Sequence, residues 1–240
     1  MKTLTSILGI FLAVGFSYAQ QTYYRSTDGK IVKEAKVKEQ QQSFQEKYSK
    51  INKNAKVSIE IKDTQTTRDS IIYDYGFHVD LNGKQREKSK LEAMIGQVIP
   101  ELALKTLDGN NFNFDQLKGR PTLLNFWFTK CKPCVDEMPV LNKLKDAYGD
   151  RVNFIAITYE TDQSVGEFLK KRDFEFMHIA NAQDYIDELG VTAFPVNVIL
   201  DENLQISKIE SGIPYTKNED GEFAIGEATE IKRNLDKLLK

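Results

Sequence analysis

Both cysteines of the chain lie in one short stretch, Phe126-Trp127-Phe128-Thr129-Lys130-Cys131-Lys132-Pro133-Cys134. An apolar run precedes them and a helical pattern comes after, so the fold has to end a buried strand and begin a helix here. Two sulfurs at C-x-x-C spacing can close and reopen a disulfide across one helical turn. As a staple such a bridge is weak, because it closes a very short loop and restricts the unfolded chain little. The spacing therefore reads as dithiol–disulfide exchange. A structural disulfide and metal ligation are the plainer alternatives. Two further metal ligands are hard to find for the pair, so no metal and no cofactor is expected.

The compartment bears on that choice. Lys2, a mainly apolar run from Leu4 to Phe16, and Ser17-Tyr18-Ala19 match an export signal with a small-x-small cleavage site. Residues 1–19 are read as a signal peptide, and the mature protein as exported, with the periplasm as its place. The apolar run is too short to span a bilayer comfortably and no later stretch is long enough, so no membrane span is expected after processing. No cysteine stands near the cleavage point, which argues against a lipid anchor. The formal net charge is −2 with both signs interspersed, and nothing in it suggests nucleic-acid binding.

Residues 20–93 differ in composition from residues 94–240, being rich in Gln, Lys and Glu and poor in Leu. Tyr23 to Val32 reads as a hairpin with Asp28-Gly29 in the turn, and residues 33–52 as a polar, helical stretch. Val57 to Ile61 alternates as a strand, and Ile71 to Leu81 is a second, ending at Asn82-Gly83. No catalytic constellation appears there. The extension is expected to pack on or dock the main domain, with partner binding as the sharper alternative.

From residue 94 the pattern changes to strands alternating with helices. Pro121 opens an apolar strand, Thr122 to Phe128, and the helix after Cys131 places Met138, Leu141, Leu144 and Tyr148 on one face. Val152 to Thr158 is the next buried strand, Val165 to Arg172 a helix, Phe176 to Ile179 a short strand, and Asp184 to Leu189 a helix stopped at Gly190. Val196 to Leu200 and Leu204 to Ile209 are adjacent strands, and a last helix carries Ile231, Leu235 and Leu238. The order predicts a three-layer α/β domain over residues 94–240, behind a small α+β extension.

On these residues the chain resembles a thioredoxin-like domain, specifically the exported thiol–disulfide oxidoreductases of the TlpA/ResA type with their Redoxin-like fold. The resemblance rests on Ile95-Gly96 to Pro100, Asp108-Gly109, Leu117-Lys118-Gly119, Asn125-Phe126-Trp127, Cys131 and Cys134, Glu137-Met138-Pro139 and Phe194-Pro195. A C-x-x-C between strand and helix, with an X-Pro before a later strand, is a specific combination. The resemblance does not extend to residues 20–93, to which no family is assigned.

Cys131, at the N-terminal end of its helix, is the expected nucleophile, its thiolate favoured by the helix dipole and by Lys130 and Lys132. Cys134, one turn further in, is the expected resolving thiol. The resemblance implies that Glu137 is a buried acid moving protons to and from it. Thioredoxin has an acid six residues before its first cysteine; Asn125 stands there in this chain and cannot titrate. A cis bond between Phe194 and Pro195 is likewise implied, with the Phe194 backbone pairing to substrate. Lys130, where the family commonly has Trp, and Trp127 complete the expected substrate-contacting set. His178 reads as a packing residue. The implied activity is reduction of disulfides in exported proteins, including c-type cytochrome maturation, with a membrane thiol donor recharging the pair. A non-catalytic thioredoxin-scaffold binding module and an oxidase or isomerase are the alternatives.

Overall fold

The computed structural model describes residues 20–26, 29–81, 88–217 and 223–240. The expected signal peptide, Asp28 of the expected turn, and Asn82-Gly83 lie outside them. The described residues form two compact units that divide between Glu87 and Lys88.

In the first unit β1 (Gln21–Arg25) and β2 (Ile31–Val32) pair as an antiparallel hairpin, with Gly29 at a φ of 82°. The polar stretch is the helix α1 (Glu34–Ser49), and β3 (Lys56–Thr66) and β4 (Ser70–Asp80) form a long antiparallel ribbon. β4 also runs parallel to β1, giving a sheet of order β2-β1-β4-β3. Among its described residues few aliphatic side chains are buried, namely Val37, Ala55 and Val57 beside Tyr75. Rings of Tyr24, Phe44, Tyr73, Tyr75 and Phe77 supply the remaining packing, which explains how a Leu-poor segment still folds.

The second unit starts with α2 (Lys90–Ala93), opened by a capping box between Ser89 and Glu92. α2 precedes residue 94, the expected boundary, and belongs to this unit because Leu91 is buried in its core. β5 (Leu104–Lys105) and β6 (Asn111–Phe112) close a small hairpin around Asp108-Gly109. Then come β7 (Thr122–Phe126), α3 (Lys132–Tyr148), β8 (Asn153–Ile157), α4 (Asp162–Leu169), β9 (Met177–Ile179) and α5 (Gln183–Leu189). β10 (Val196–Leu200), β11 (Ile206–Ser211), β12 (Tyr215–Lys217), β13 (Phe223–Ile225) and α6 (Thr229–Leu238) complete the chain. The β12–β13 hairpin was not anticipated from the sequence.

The main sheet has the order β11-β10-β7-β8-β9, with β7 parallel to β8 and antiparallel to β10. β7 is buried on both faces, as its nearly continuous apolar run requires. Its alternation divides the core. Leu124 and Phe126 face a cluster with Ile155, Ile157, Tyr185, Ile186 and Leu189. Leu123 and Trp127 face another, with Met138 and Leu141 of α3, Val165 of α4 and Leu235 of α6. Helices therefore cover both faces of the sheet, and the three-layer α/β expectation holds.

Candidate active site

β7 ends at Phe126, and five residues later Cys131 opens α3 as its N-cap. A turn closed by the Cys131 N–H donating to the Phe128 carbonyl at 3.1 Å sets this junction. Cys131 and Cys134 are joined in a disulfide. The Cys131 Sγ accepts from the Cys134 backbone N–H at 3.3 Å, the contact an N-cap oxygen normally makes. When the bridge opens, a Cys131 thiolate meets that N–H and the positive end of the α3 dipole. Cys131 keeps 4% of its surface exposed and Cys134 1%.

Glu137 is completely buried, so it is no ordinary surface glutamate of a helix. Its Oε1 accepts from Asn125 Nδ2 at 2.8 Å and its Oε2 from the Ile213 N–H at 2.9 Å. Asn197 Nδ2 lies 3.5 Å from Oε1, and its Oδ1 accepts from Asn125 Nδ2 at 3.0 Å. Burial raises the Glu137 pKa from 4.5 to about 6, against the lowering effect of the Ile213, Asn125 and Asn197 donors. The group therefore changes charge close to neutrality, which suits it to passing protons. Asn125 and Asn197 are directly opposed on β7 and β10, so strand register puts both amides against one carboxylate. Sequence reasoning overlooked Asn197. The available signal was a lone amide in each of two otherwise apolar strands.

The Phe194-Pro195 bond is cis. The ladder that pairs Val196 with Phe126 brings the next residues, Phe194 and Phe128, together, with ring centroids 5.5 Å apart. Tyr159, just beyond β8, completes a trio at 5.8 Å from Phe128 and 5.9 Å from Phe194. Phe194 and Phe128 are half-buried and Tyr159 is 37% exposed. Glu160 fastens the approach to the cysteines, accepting from the Thr129 N–H at 2.6 Å and the Thr129 hydroxyl at 2.8 Å. Lys130 is exposed beside this patch.

Two expectations need correction. Trp127 cannot touch a substrate, because it is completely buried. The alternation that continues from β7 turns its ring to the face covered by α3 and α4, where it packs on Phe168 of α4, Phe174 and His178 of β9. Lys132 does not offer an unpaired charge to the sulfurs, since its Nζ lies 2.5 Å from Asp136 Oδ2. His178 is buried, and its Nε2 sits 2.7 Å from the Phe174 carbonyl oxygen.

Gly212 joins the cis-proline loop to Glu137. Its N–H donates to the Pro195 carbonyl at 3.2 Å, and a Cβ at this position would stand 2.4 Å from Pro195 Cγ and 3.0 Å from Glu137 Oε2. Gly212→Ala is expected to cost about 1–3 kcal/mol by overpacking. Urea denaturation measures that cost, and an unchanged midpoint would show that the loop yields freely.

The Redoxin family model matches residues 94–224. The chain belongs to the Redoxin family. It is 33% identical over 136 residues to the thioredoxin-like protein YneN of Bacillus subtilis, covering 55% of this chain and 79% of that protein. To the thiol-disulfide oxidoreductase ResA of Bacillus cereus it is 36% identical over 119 residues, covering 48% of this chain and 69% of that one. A solved structure described as a putative thiol:disulfide interchange protein DsbE from Chlorobium tepidum superposes with a TM-score of 0.51. At 19% identity, over 61% of this chain and 98% of that one, it shares the fold. This Redoxin chain is a thiol–disulfide oxidoreductase of thioredoxin-like architecture. Among the described residues, no group of three or more His, Cys, Asp or Glu is placed to hold a metal ion, and no helix is long and apolar enough to cross a membrane.

Proposed function

We propose that this enzyme reduces disulfides in exported proteins, with Cys131 as nucleophile, Cys134 as resolving thiol and Glu137 as proton relay. The observation that carries this reading is the buried Glu137, three residues after Cys134 on α3, with a pKa of about 6. The Cys131 thiolate attacks one sulfur of a substrate disulfide, and the expelled substrate thiolate takes up a proton. Cys134 then gives its proton to the Glu137 carboxylate and attacks the Cys131 sulfur of the mixed disulfide. The second substrate thiolate leaves and is protonated in turn. The substrate has gained two electrons and two protons, and the Cys131–Cys134 bridge is the oxidised product.

The aromatic trio of Phe128, Tyr159 and Phe194 favours a polypeptide substrate over a small charged disulfide. Phe194 and Pro195 offer backbone to an extended segment, and exposed Lys130 sits at the edge of the docking face. The leader-like residues 1–19 support a periplasmic place of work. A membrane thiol donor then returns two electrons and two protons to the bridge. Clients include thiols that must stay reduced, among them those of c-type cytochrome precursors. The unit before Lys88 is assigned to partner recognition or to docking of the catalytic unit.

The test is Cys134→Ser in the full chain. The variant is expected to accumulate mixed disulfides through Cys131 with exported proteins, visible as adducts that dithiothreitol releases. Absence of adducts, together with wild-type protein that fails to reduce insulin, would leave a non-catalytic scaffold as the reading. A reduction potential near ~−120 mV would instead keep the exchange chemistry and reverse its direction.

A further inference from the structure

Asp136 takes no part in the exchange steps, yet it sits one residue before Glu137 and is gripped from two sides. Its Oδ2 accepts from Lys132 Nζ at 2.5 Å and from the Tyr215 hydroxyl. Lys132 lies between the two cysteines, whereas Tyr215 opens the β12–β13 hairpin. Two residues before Tyr215 on the same segment, Ile213 binds Glu137 through its N–H. The hairpin root thus holds two successive acids of the active-site helix.

We propose that Asp136, clasped between Lys132 and Tyr215, is a positioning residue that holds the Lys132 ammonium away from Cys131 and keeps that thiol from becoming strongly acidic. Residues four apart share one face of a helix, so the pair with Asp136 draws the Lys132 side chain along α3. The N-cap sulfur of Cys131 lies at the opposite end of that turn. Lys132 and then Tyr215 hold the Asp136 carboxyl below the usual carboxylate range, so the clasp is charged at any working pH. An exposed ion pair alone is easily broken, and the Tyr215 hydroxyl gives Asp136 a second point of attachment. Of the other charges around this turn, Lys130 is exposed, Glu137 is buried among amides, and Glu160 is bound to Thr129. Arg172 acts from a distance to lower the Asp136 pKa further.

The consequence falls on the direction of exchange, and so it rests on the reductase reading. The equilibrium is protein disulfide plus two reduced glutathione giving protein dithiol plus oxidised glutathione. Anything that stabilises the Cys131 thiolate stabilises the dithiol and makes the protein a stronger oxidant. By neutralising Lys132, the clasp leaves the dithiol a better electron donor.

The test uses reduced full-length protein and follows thiolate absorbance against pH in wild type, Asp136→Asn, Lys132→Gln and the double variant. Asp136→Asn is expected to raise the thiolate-to-thiol ratio of Cys131 about threefold, the scale of one screened charge at this range. The glutathione equilibrium should move toward the dithiol by a similar factor. In the Lys132→Gln background most of that effect disappears. No shift, or the same shift in both backgrounds, overturns the proposal, since Asp136 would then act without Lys132. Tyr215→Phe is expected to give a smaller shift of the same sign, and its failure to do so removes the hairpin from the clasp. If wild-type protein exchanges no disulfide at all, the reductase reading fails while the thiolate titration still reports on the clasp.

Discussion

Glu137→Gln is expected to slow disulfide exchange by about 10²–10⁴-fold at neutral pH, the range for loss of a general acid–base group. The loss should fall on the resolving step, seen as longer-lived mixed disulfide at Cys131. In the wild type that step accelerates as pH rises through about 6, where Glu137 gives up its proton and can act as base. The variant should show no such inflection. Stability carries the same signature. The folded pKa of about 6 lies above the ordinary 4.5, so between those values the folded state holds a proton the unfolded chain has released. That contribution is complete below pH 4.5 and is lost as pH rises through 6, in total about 2 kcal/mol. Gln removes the slope. It also adds a pH-independent cost of about 1 kcal/mol, because an amide cannot accept from both Asn125 and the Ile213 N–H. Urea unfolding of both proteins from acid to neutral pH measures each part. Equal slopes in the two would show that Glu137 does not titrate in this window.

Trp127→Ala should be among the most destabilising single changes in the second unit, at about 3–5 kcal/mol. The ring is fully buried against Phe168, Phe174 and His178, and its removal leaves a cavity among these rings. The lower end of that range is expected, because the Trp127 Nε1–H is buried without a hydrogen-bond partner among the described residues and already carries part of that cost. Trp127→Phe, which discards the orphaned N–H and keeps an aromatic ring, should cost distinctly less. Denaturation midpoints decide the order. A large rise in KM for protein disulfides without loss of stability would instead return Trp127 to the substrate face.

Much of this could be read along the chain, because it depends on residues that are close in sequence. The C-x-x-C pair at a strand-to-helix junction, the strands around β7, the amphipathic face of α3 and the stop at Gly190 arise from apolar period and from caps that act within a turn. The short strands β12 and β13 escaped notice, since three residues a side carry too little pattern to stand out from a loop. Within the site, Cys131, Cys134, Glu137 and the Phe194-Pro195 bend were each visible as single signals. The direction in which Trp127 points was not, because an apolar strand buried on both faces shows no contrast between its two sides.

A reducible sulfur pair capping a helix behind a buried strand can be read from the chain alone, because capping and burial pattern are local. The long-range surroundings of that pair come from the folding of distant segments onto it. Glu137 becomes an acid of pKa about 6 because the fold buries it completely, while the Asn125, Asn197 and Ile213 donors that gather around it hold that rise in check. Asp136, paired with Lys132 within one turn of α3, is also reached by the Tyr215 hydroxyl from the hairpin. Asn197, Ile213 and Tyr215 come from distant parts of the chain, and strand pairing, which no local rule specifies, brings them together.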